Sequence, residues 1–280
     1  MQINPINHNS YQVNNTYNKK KISFKSYETE VFKNNKFVYS TYTELFRHDL
    51  VASDIERIIN KYKNATKINI INHACSAGYE SYSLLMSFMK YLGKDFEKFM
   101  PIIARDIDKD AIEYAKQGQL KLNHYEYQDA CFYKSFKNNF KIEMLNPNIS
   151  RFNSDIENYY QASLQTDLNK YIDFGVSNIF DDKELISKDN TILICRNFWP
   201  FLGDEKISEL AFFLANNMKS SSLIMIGDFD YGHGINNLLK SYGFREYDLS
   251  DYIYEAPGKS NEVKFINFIH KMQPDLNLIS

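Results

Sequence analysis

Three short segments of this chain carry residue types that can do chemistry. The first is the loop Cys75-Ser76-Ala77-Gly78-Tyr79-Glu80, which follows the apolar run Ile68-Asn69-Ile70-Ile71 and precedes Ser83-Leu84-Leu85-Met86. The second is the acidic pair Asp106 and Asp108, which closes the apolar run Pro101-Ile102-Ile103-Ala104 about 28 residues after Gly78. The third is Arg196-Asn197, which ends the run Thr191-Ile192-Leu193-Ile194-Cys195. A glycine-containing turn between a strand and a helix lets a ligand approach the backbone. A carboxylate at the end of the next strand can accept hydrogen bonds from ribose hydroxyls. The layout predicts a nucleotide-binding βαβ unit.

The loop holds one glycine, where a dinucleotide fingerprint has three. That argues against a nicotinamide or flavin site and against a bound pyrophosphate. A single-glycine loop with an acidic second strand suits S-adenosylmethionine, which has a ribose and no phosphates. The same residues also fit an ordinary strand–turn–helix with a solvated aspartate.

The elements that must position these residues follow from period and punctuation. Leu45, Phe46, Leu50, Ile55, Ile58 and Ile59 lie near helical spacing and predict a helix from Thr43 to Tyr62. Strand one is expected over Lys67–His73, the first crossover helix from about Glu80 to Leu92, and strand two over Pro101–Arg105. Asp108 is placed to cap the next helix, which stops at Gly118. Tyr171–Val176, Thr191–Cys195 and Leu223–Ile226 read as further strands, with helices over Asp204–Met218 and Ile235–Tyr242. Tyr252–Glu255 and Val263–Ile269 look like a closing antiparallel pair. Alternating βα units imply a mainly parallel sheet covered on both faces.

Residues 119–170 break this rhythm. The stretch is too long for a simple connection and reads as an inserted subdomain or lid. Its aromatic residues, Tyr125, Tyr127, Phe132, Tyr133, Phe136 and Phe140, are expected to pack the insert onto the main sheet. Residues 1–26 are rich in Asn, Tyr and Lys and are expected to be a disordered polar tail, followed by a helical lead-in over 27–66 and the main domain over 67–280.

Composition narrows the function. The 33 basic and 35 acidic residues leave no cationic excess, so no nucleic-acid partner is expected. Cys75, Cys131 and Cys195 make neither a zinc spacing nor a disulfide framework; Cys75 and Cys195 read as buried, reduced thiols, and no metal is expected. No segment approaches the roughly 20 apolar residues of a membrane span, and the N-terminus has no signal-peptide core. A cytoplasmic protein is the default expectation. Nothing in the sequence specifies an oligomeric state.

Five segments in order now point one way: Thr43-x-x-x-Arg47, Cys75 to Ser83, Ala104-Arg105-Asp106-Ile107-Asp108, Tyr171 to Asn178, and Ile192-Leu193-Ile194-Cys195-Arg196-Asn197. Over roughly residues 40–255 the chain resembles the chemotaxis-receptor methyltransferase (CheR) family, which transfers methyl from S-adenosylmethionine to receptor glutamates. The resemblance implies a Rossmann-like class I methyltransferase with a mainly parallel seven-stranded α/β sheet and an inserted subdomain. It implies cofactor binding by Thr43 and Arg47 on the helix before strand one, by Ser76, Gly78 and Glu80 in the loop, by Asp106 at the ribose, by Asn178 beside the adenine, and by Arg196 and Asn197 at the mouth. Arg196, Asn197 and Phe201 are the residues it places at the chemistry, with Phe198-Trp199-Pro200-Phe201 walling the acceptor pocket. The implied partner is a protein carrying an acceptor carboxylate.

The sequence departs from the family at four points. Tyr79 replaces one of two adjacent glutamates. Phe201 stands where the family has a tyrosine. Gly227-Asp228-Phe229-Asp230 stands where it has Gly-His-Ser-Glu, and the polar tail occupies the place of a basic helical domain. Three activities are therefore carried forward: carboxyl methyl transfer, a degenerate cofactor-binding protein acting through contacts, and methyl transfer to another acceptor such as a nucleobase or small molecule.

Overall fold

The computed structural model describes residues 44–47, 52–144 and 160–257. Thr43, the N-terminal tail and Val263–Ile269 lie outside the described residues. The expected helix from Thr43 begins later: Glu44–Arg47 is a turn, and α1 spans Ala52–Tyr62. Tertiary hydrogen bonds override the helical spacing here. The Leu45 N–H donates to Glu126 Oε1 at 2.9 Å, the Phe46 N–H donates to Ser83 Oγ at 2.8 Å, and Phe46 has φ 51°. That dihedral lies outside the right-handed helical region.

The main sheet is built from short apolar strands. These are β1 (Asn69–His73), β2 (Ile102–Asp106), β6 (Ile172–Val176), β7 (Thr191–Ile194), β8 (Leu223–Met225), β9 (Arg245–Glu246) and β10 (Ile253–Glu255). Their order is β6-β2-β1-β7-β8-β10-β9. The first five pair in parallel, and β10 pairs antiparallel with both of its neighbours. Tyr252–Glu255 thus closes the sheet as expected, with β9 as its partner among the described residues.

Residue alternation divides the core into two layers. Ile70 packs with α2 (Tyr79–Leu92) residues Leu84 and Leu85 on one face. Ile71 packs with Leu193, Ile224 and the α7 (Asp204–Asn217) residues Leu210 and Leu214 on the other. Ile186 of the single-turn α6 (Lys183–Ile186) joins that second layer. The strand order reverses at β1, with β2 on one side and β7 on the other. In open α/β sheets that crevice, outside the carboxyl ends of the strands, is where ligands bind. The ends of β1, β2 and β7 are where the Gly78 loop, Asp106 and Arg196-Asn197 sit.

Within 119–170 a second, antiparallel sheet forms in the order β3-β5-β4, from β3 (Gln119–Leu122), β4 (Phe140–Met144) and β5 (Tyr160–Leu164). Two short helices, α4 (His124–Cys131) and α5 (Lys134–Asn139), join β3 to β4. The Tyr79 hydroxyl accepts from the Lys121 N–H at 2.7 Å and so ties α2 to β3. Phe136 and Phe140 are buried, but Tyr125 and Phe132 are each 77% exposed, against the expectation that the aromatics of this stretch pack inward.

Candidate functional site

The loop after β1 is held in shape by the acid at the end of β2. The Ser76 N–H donates to Asp106 Oδ2 at 2.7 Å, and the Asp108 N–H donates to Asp106 Oδ1 at 2.9 Å. Asp108 then caps α3 (Lys109–Lys116), accepting from the N–H groups of Asp110 and Ala111. Ala74 and Ser76 take positive φ values of 58° and 48°, so the chain turns sharply between strand and helix.

Gly78 has φ 84°, a conformation that favours glycine. The reason for its small size differs from ligand approach. A Cβ here would lie 2.9 Å from the Cβ of Ala115 on α3 and 3.0 Å from the ring of Phe174 on β6. Close packing of loop, helix and strand requires the glycine.

Glu80, in the first turn of α2, forms an ion pair with Nη1 of Arg196, whose side chain is almost wholly buried. The pair spans β1 and β7 at the reversal point. The Asn197 amide group turns toward β8: its Oδ1 accepts from the Phe229 N–H at 3.0 Å.

Asp230, which no sequence reading singled out, organises this side. It is fully buried. Its Oδ2 accepts from the N–H groups of Asn197 at 2.5 Å and Gly227 at 3.0 Å, and its Oδ1 accepts from the Trp199 N–H at 3.2 Å. Burial pushes its carboxyl up to about 6, against the pull of these three donors and of the Arg196 charge. The acid that ends the family's Gly-His-Ser-Glu segment therefore has a counterpart here, one methylene shorter. The signal available in the sequence was spacing: an acid three residues after Gly227, the N3 position of α8 (Asp228–Gly232), reaches back to the N-cap backbone.

Trp199 does not wall a pocket. It is fully buried, and its indole N–H donates to the Cys195 carbonyl at 3.0 Å. Phe201 is 44% exposed and stacks on Phe229 with ring centroids 5.5 Å apart. Asn178 is exposed and shapes its own turn, its Oδ1 accepting from the Phe180 N–H at 3.1 Å. Arg47 stands on the lead-in turn, where its charge acts on Glu126. Cys75 and Cys195 are buried free thiols, both pushed well up by burial.

The structure thus joins Ser76 to Asp106 and Glu80 to Arg196, and sets Asn197 beside Phe229 and Phe201. Asn178 is linked to this group only through its neighbour, since the Ser177 N–H donates to the Asp106 carbonyl at 2.9 Å. Among the described residues, no group of histidines, cysteines and acids could hold a metal ion, and no helix is long and apolar enough to cross a membrane.

A mainly parallel seven-stranded sheet reversing at β1, with an antiparallel strand between β8 and β9 and an acid ending β2, is a Rossmann-like α/β fold of the class I methyltransferase type. Comparison with known proteins narrows this. Residues 29–247 match the family model described as CheR methyltransferase, SAM binding domain. That is more than half of the chain, and the chain belongs to this family. It is 23% identical over 203 residues to the chemotaxis protein methyltransferase of Borreliella burgdorferi, covering 72% of this chain and 65% of that protein, just under two thirds of its length. It is 21% identical over 206 residues to chemotaxis protein methyltransferase 2 of Pseudomonas aeruginosa, covering 74% of this chain and 67% of that one. Magnesium protoporphyrin IX methyltransferase from Synechocystis PCC 6803, solved with bound SAM, superposes with a TM-score of 0.35 at 11% identity, covering 76% of this chain and 80% of that one. A likeness that slight carries no argument.

The residues fit the cofactor. Each Asp106 oxygen accepts one backbone N–H, and a carboxylate has about four acceptor positions, so ribose hydroxyls can be received as well.

Proposed function

We propose that this chain methylates a carboxylate on a protein. The observation that carries the reading is the Glu80–Arg196 ion pair, a buried guanidinium set where the cofactor loop meets the acceptor-side loop. The names of the two chemotaxis methyltransferase relatives support a protein acceptor.

In this reading Asp106 receives the ribose hydroxyls and Asn178 offers its exposed amide to the adenine. Ser76, Gly78 and Glu80 form the floor, and Arg47 holds the methionine end. A guanidinium can bind the amino-acid carboxylate bidentately, which suits Arg47. S-adenosylmethionine supplies a methyl group already activated on a sulfonium. The protein has chiefly to align the acceptor with it. Arg196 and Asn197 do so from one loop, clasped by Glu80 on one side and Asp230 on the other, and Phe201 with Phe229 offers the acceptor an apolar wall. A carboxylate is ionised at neutral pH, so no base has to remove a proton.

A second reading draws on Phe201. It cannot donate the hydrogen bond that a tyrosine in its place could, and an exposed aromatic stack also suits a planar acceptor.

Labelled methyl transfer from S-adenosylmethionine to receptor proteins tests the choice. Base-labile label on protein is expected, because esters hydrolyse. Base-stable label, or label on nucleic acid, would replace the carboxyl reading with the second. Tight cofactor binding without transfer to any acceptor would mark a degenerate, contact-making protein.

A further inference from the structure

A polar row crosses the carboxyl ends of three strands on the face away from α2. His73 of β1 is in register with Arg105 of β2, and Arg105 with Gly175 of β6. The Arg105 guanidinium lies over Gly175: a Cβ there would be 3.0 Å from it. Arg105 also donates to the Asp173 carbonyl at 2.5 Å and to Asp173 Oδ2 at 2.8 Å.

His73 is 4% exposed, and its Nε2 lies 2.7 Å from Oδ2 of Asp182, itself only 12% exposed in its side chain. Asp182 ends the turn that runs from Ser177 through Asn178. Burial alone would raise its carboxyl, but the hydrogen bond and charge of His73, the Ser177 hydroxyl and the Arg105 charge together hold it below the usual carboxylate range. An ionised carboxylate only accepts, so Nε2 of His73 carries the proton and donates it.

The pair therefore spans β2. It fastens the last residue of β1, immediately before the Ala74–Gly78 loop, to the turn that presents Asn178. The Ser177 N–H bond to the Asp106 carbonyl fastens the same turn to β2. Three strand ends, each leading into proposed cofactor contacts, are thus held in mutual register. Nothing in the chemistry of methyl transfer uses His73 or Asp182, and burying an imidazole and a carboxylate without a partner is unfavourable.

We propose that His73 and Asp182 are positioning residues for the adenosine half of S-adenosylmethionine. They set cofactor affinity by fixing the Asn178 turn against the Gly78 loop, and they touch neither the methyl group nor the acceptor. The proposal rests on the cofactor site assigned above.

The test is calorimetric titration of the full chain with S-adenosylhomocysteine, with thermal melting of each variant alongside. Asp182→Ala and His73→Leu are each expected to weaken binding about tenfold, the loss of one buried charged hydrogen bond. His73→Gln, which keeps an N–H donor at that end, is expected to recover most of the affinity. A merely structural role would lower the melting temperature of all three variants without this rescue pattern in affinity, and that outcome overturns the proposal. Should Asp182→Ala fail to fold, His73→Leu carries the same measurement, since it removes the donor of the same hydrogen bond. Asp106→Ala separates the two readings. If it weakens binding while Asp182→Ala and His73→Leu do not, the positioning role fails and the site stands. If neither position affects binding, the site itself is misplaced and both fail.

Discussion

Gly227 is held to glycine by Asn197: a Cβ at position 227 would overlap the Asn197 side-chain amide. The backbone of Gly227, at φ −101°, is one that any residue adopts, so the restriction is one of space alone. Gly227→Ala is expected to push the Asn197 amide off the Phe229 N–H. Forced displacement in a packed site costs about 1–3 kcal/mol, which chemical denaturation would read. Methyl transfer should fall with it. A variant with wild-type stability and activity would show that Asn197 is free to move and does not organise the site.

Asp230 makes stability depend on pH in a direction opposite to that of an acid whose carboxylate is held low by an ion pair. Its folded-state carboxyl, pushed up to about 6, holds its proton more tightly than the unfolded chain does. Between about pH 4 and pH 6 the folded state therefore binds more protons, and its advantage is lost as pH rises through that window. A proton held roughly a hundredfold more tightly in the folded state contributes on the order of 3 kcal/mol. Asp230→Asn does not titrate. The stability gap between wild type and this variant, measured by urea denaturation, is expected to shrink as pH rises from about 4 to about 6. A gap that widens would mean the ionised form is the favoured one, held by the three N–H donors.

Asp106 holds the loop and, in the proposed reading, also receives the ligand, which separates its two substitutions. Asp106→Ala leaves the N–H groups of Ser76 and Asp108 without their acceptor, so both stability and S-adenosylhomocysteine affinity are expected to fall, each by about 1–3 kcal/mol. Asp106→Asn keeps one acceptor oxygen and should lie between wild type and Asp106→Ala. Melting and calorimetry on the same preparations would show it. Full affinity in a folded Asp106→Ala protein would remove this residue from the cofactor site.

Phe201 is exposed and stacked, so adding a hydroxyl perturbs no buried packing. Phe201→Tyr is expected to change stability by less than about 0.5 kcal/mol, as surface substitutions do. On an acceptor glutamate it should raise transfer, because one new hydrogen bond contributes on the order of 1 kcal/mol. Single-turnover transfer to a receptor protein compares the two chains. A loss of activity would indicate that the apolar edge of Phe201 itself faces the acceptor.

Much of this molecule is legible in short windows of sequence. The apolar runs that became β1, β2, β7 and β8, the turn at Gly78, the Asp108 cap and the acid ending β2 depend on neighbours a few residues away. Their residue types and spacing decide them. What the windows could not show are partners distant along the chain. Glu80 meets Arg196 across 116 residues, His73 meets Asp182 across 109, and Asn197 meets Asp230 across 33. Parallel strands joined by crossovers bring such residues side by side only once the strand order exists. The lead-in turn shows the converse: its apolar spacing is helical, yet hydrogen bonds to Glu126 and Ser83 hold it otherwise. The sequence alone thus determined β1, β2, β6, β7, β8 and β10, the loop and the identity of the acid at the end of β2. The tertiary structure decided that Gly78 is small for packing, that Trp199 belongs to the core, and that buried Asp230 joins the loops after β7 and β8, because each of these depends on what a distant segment places within contact.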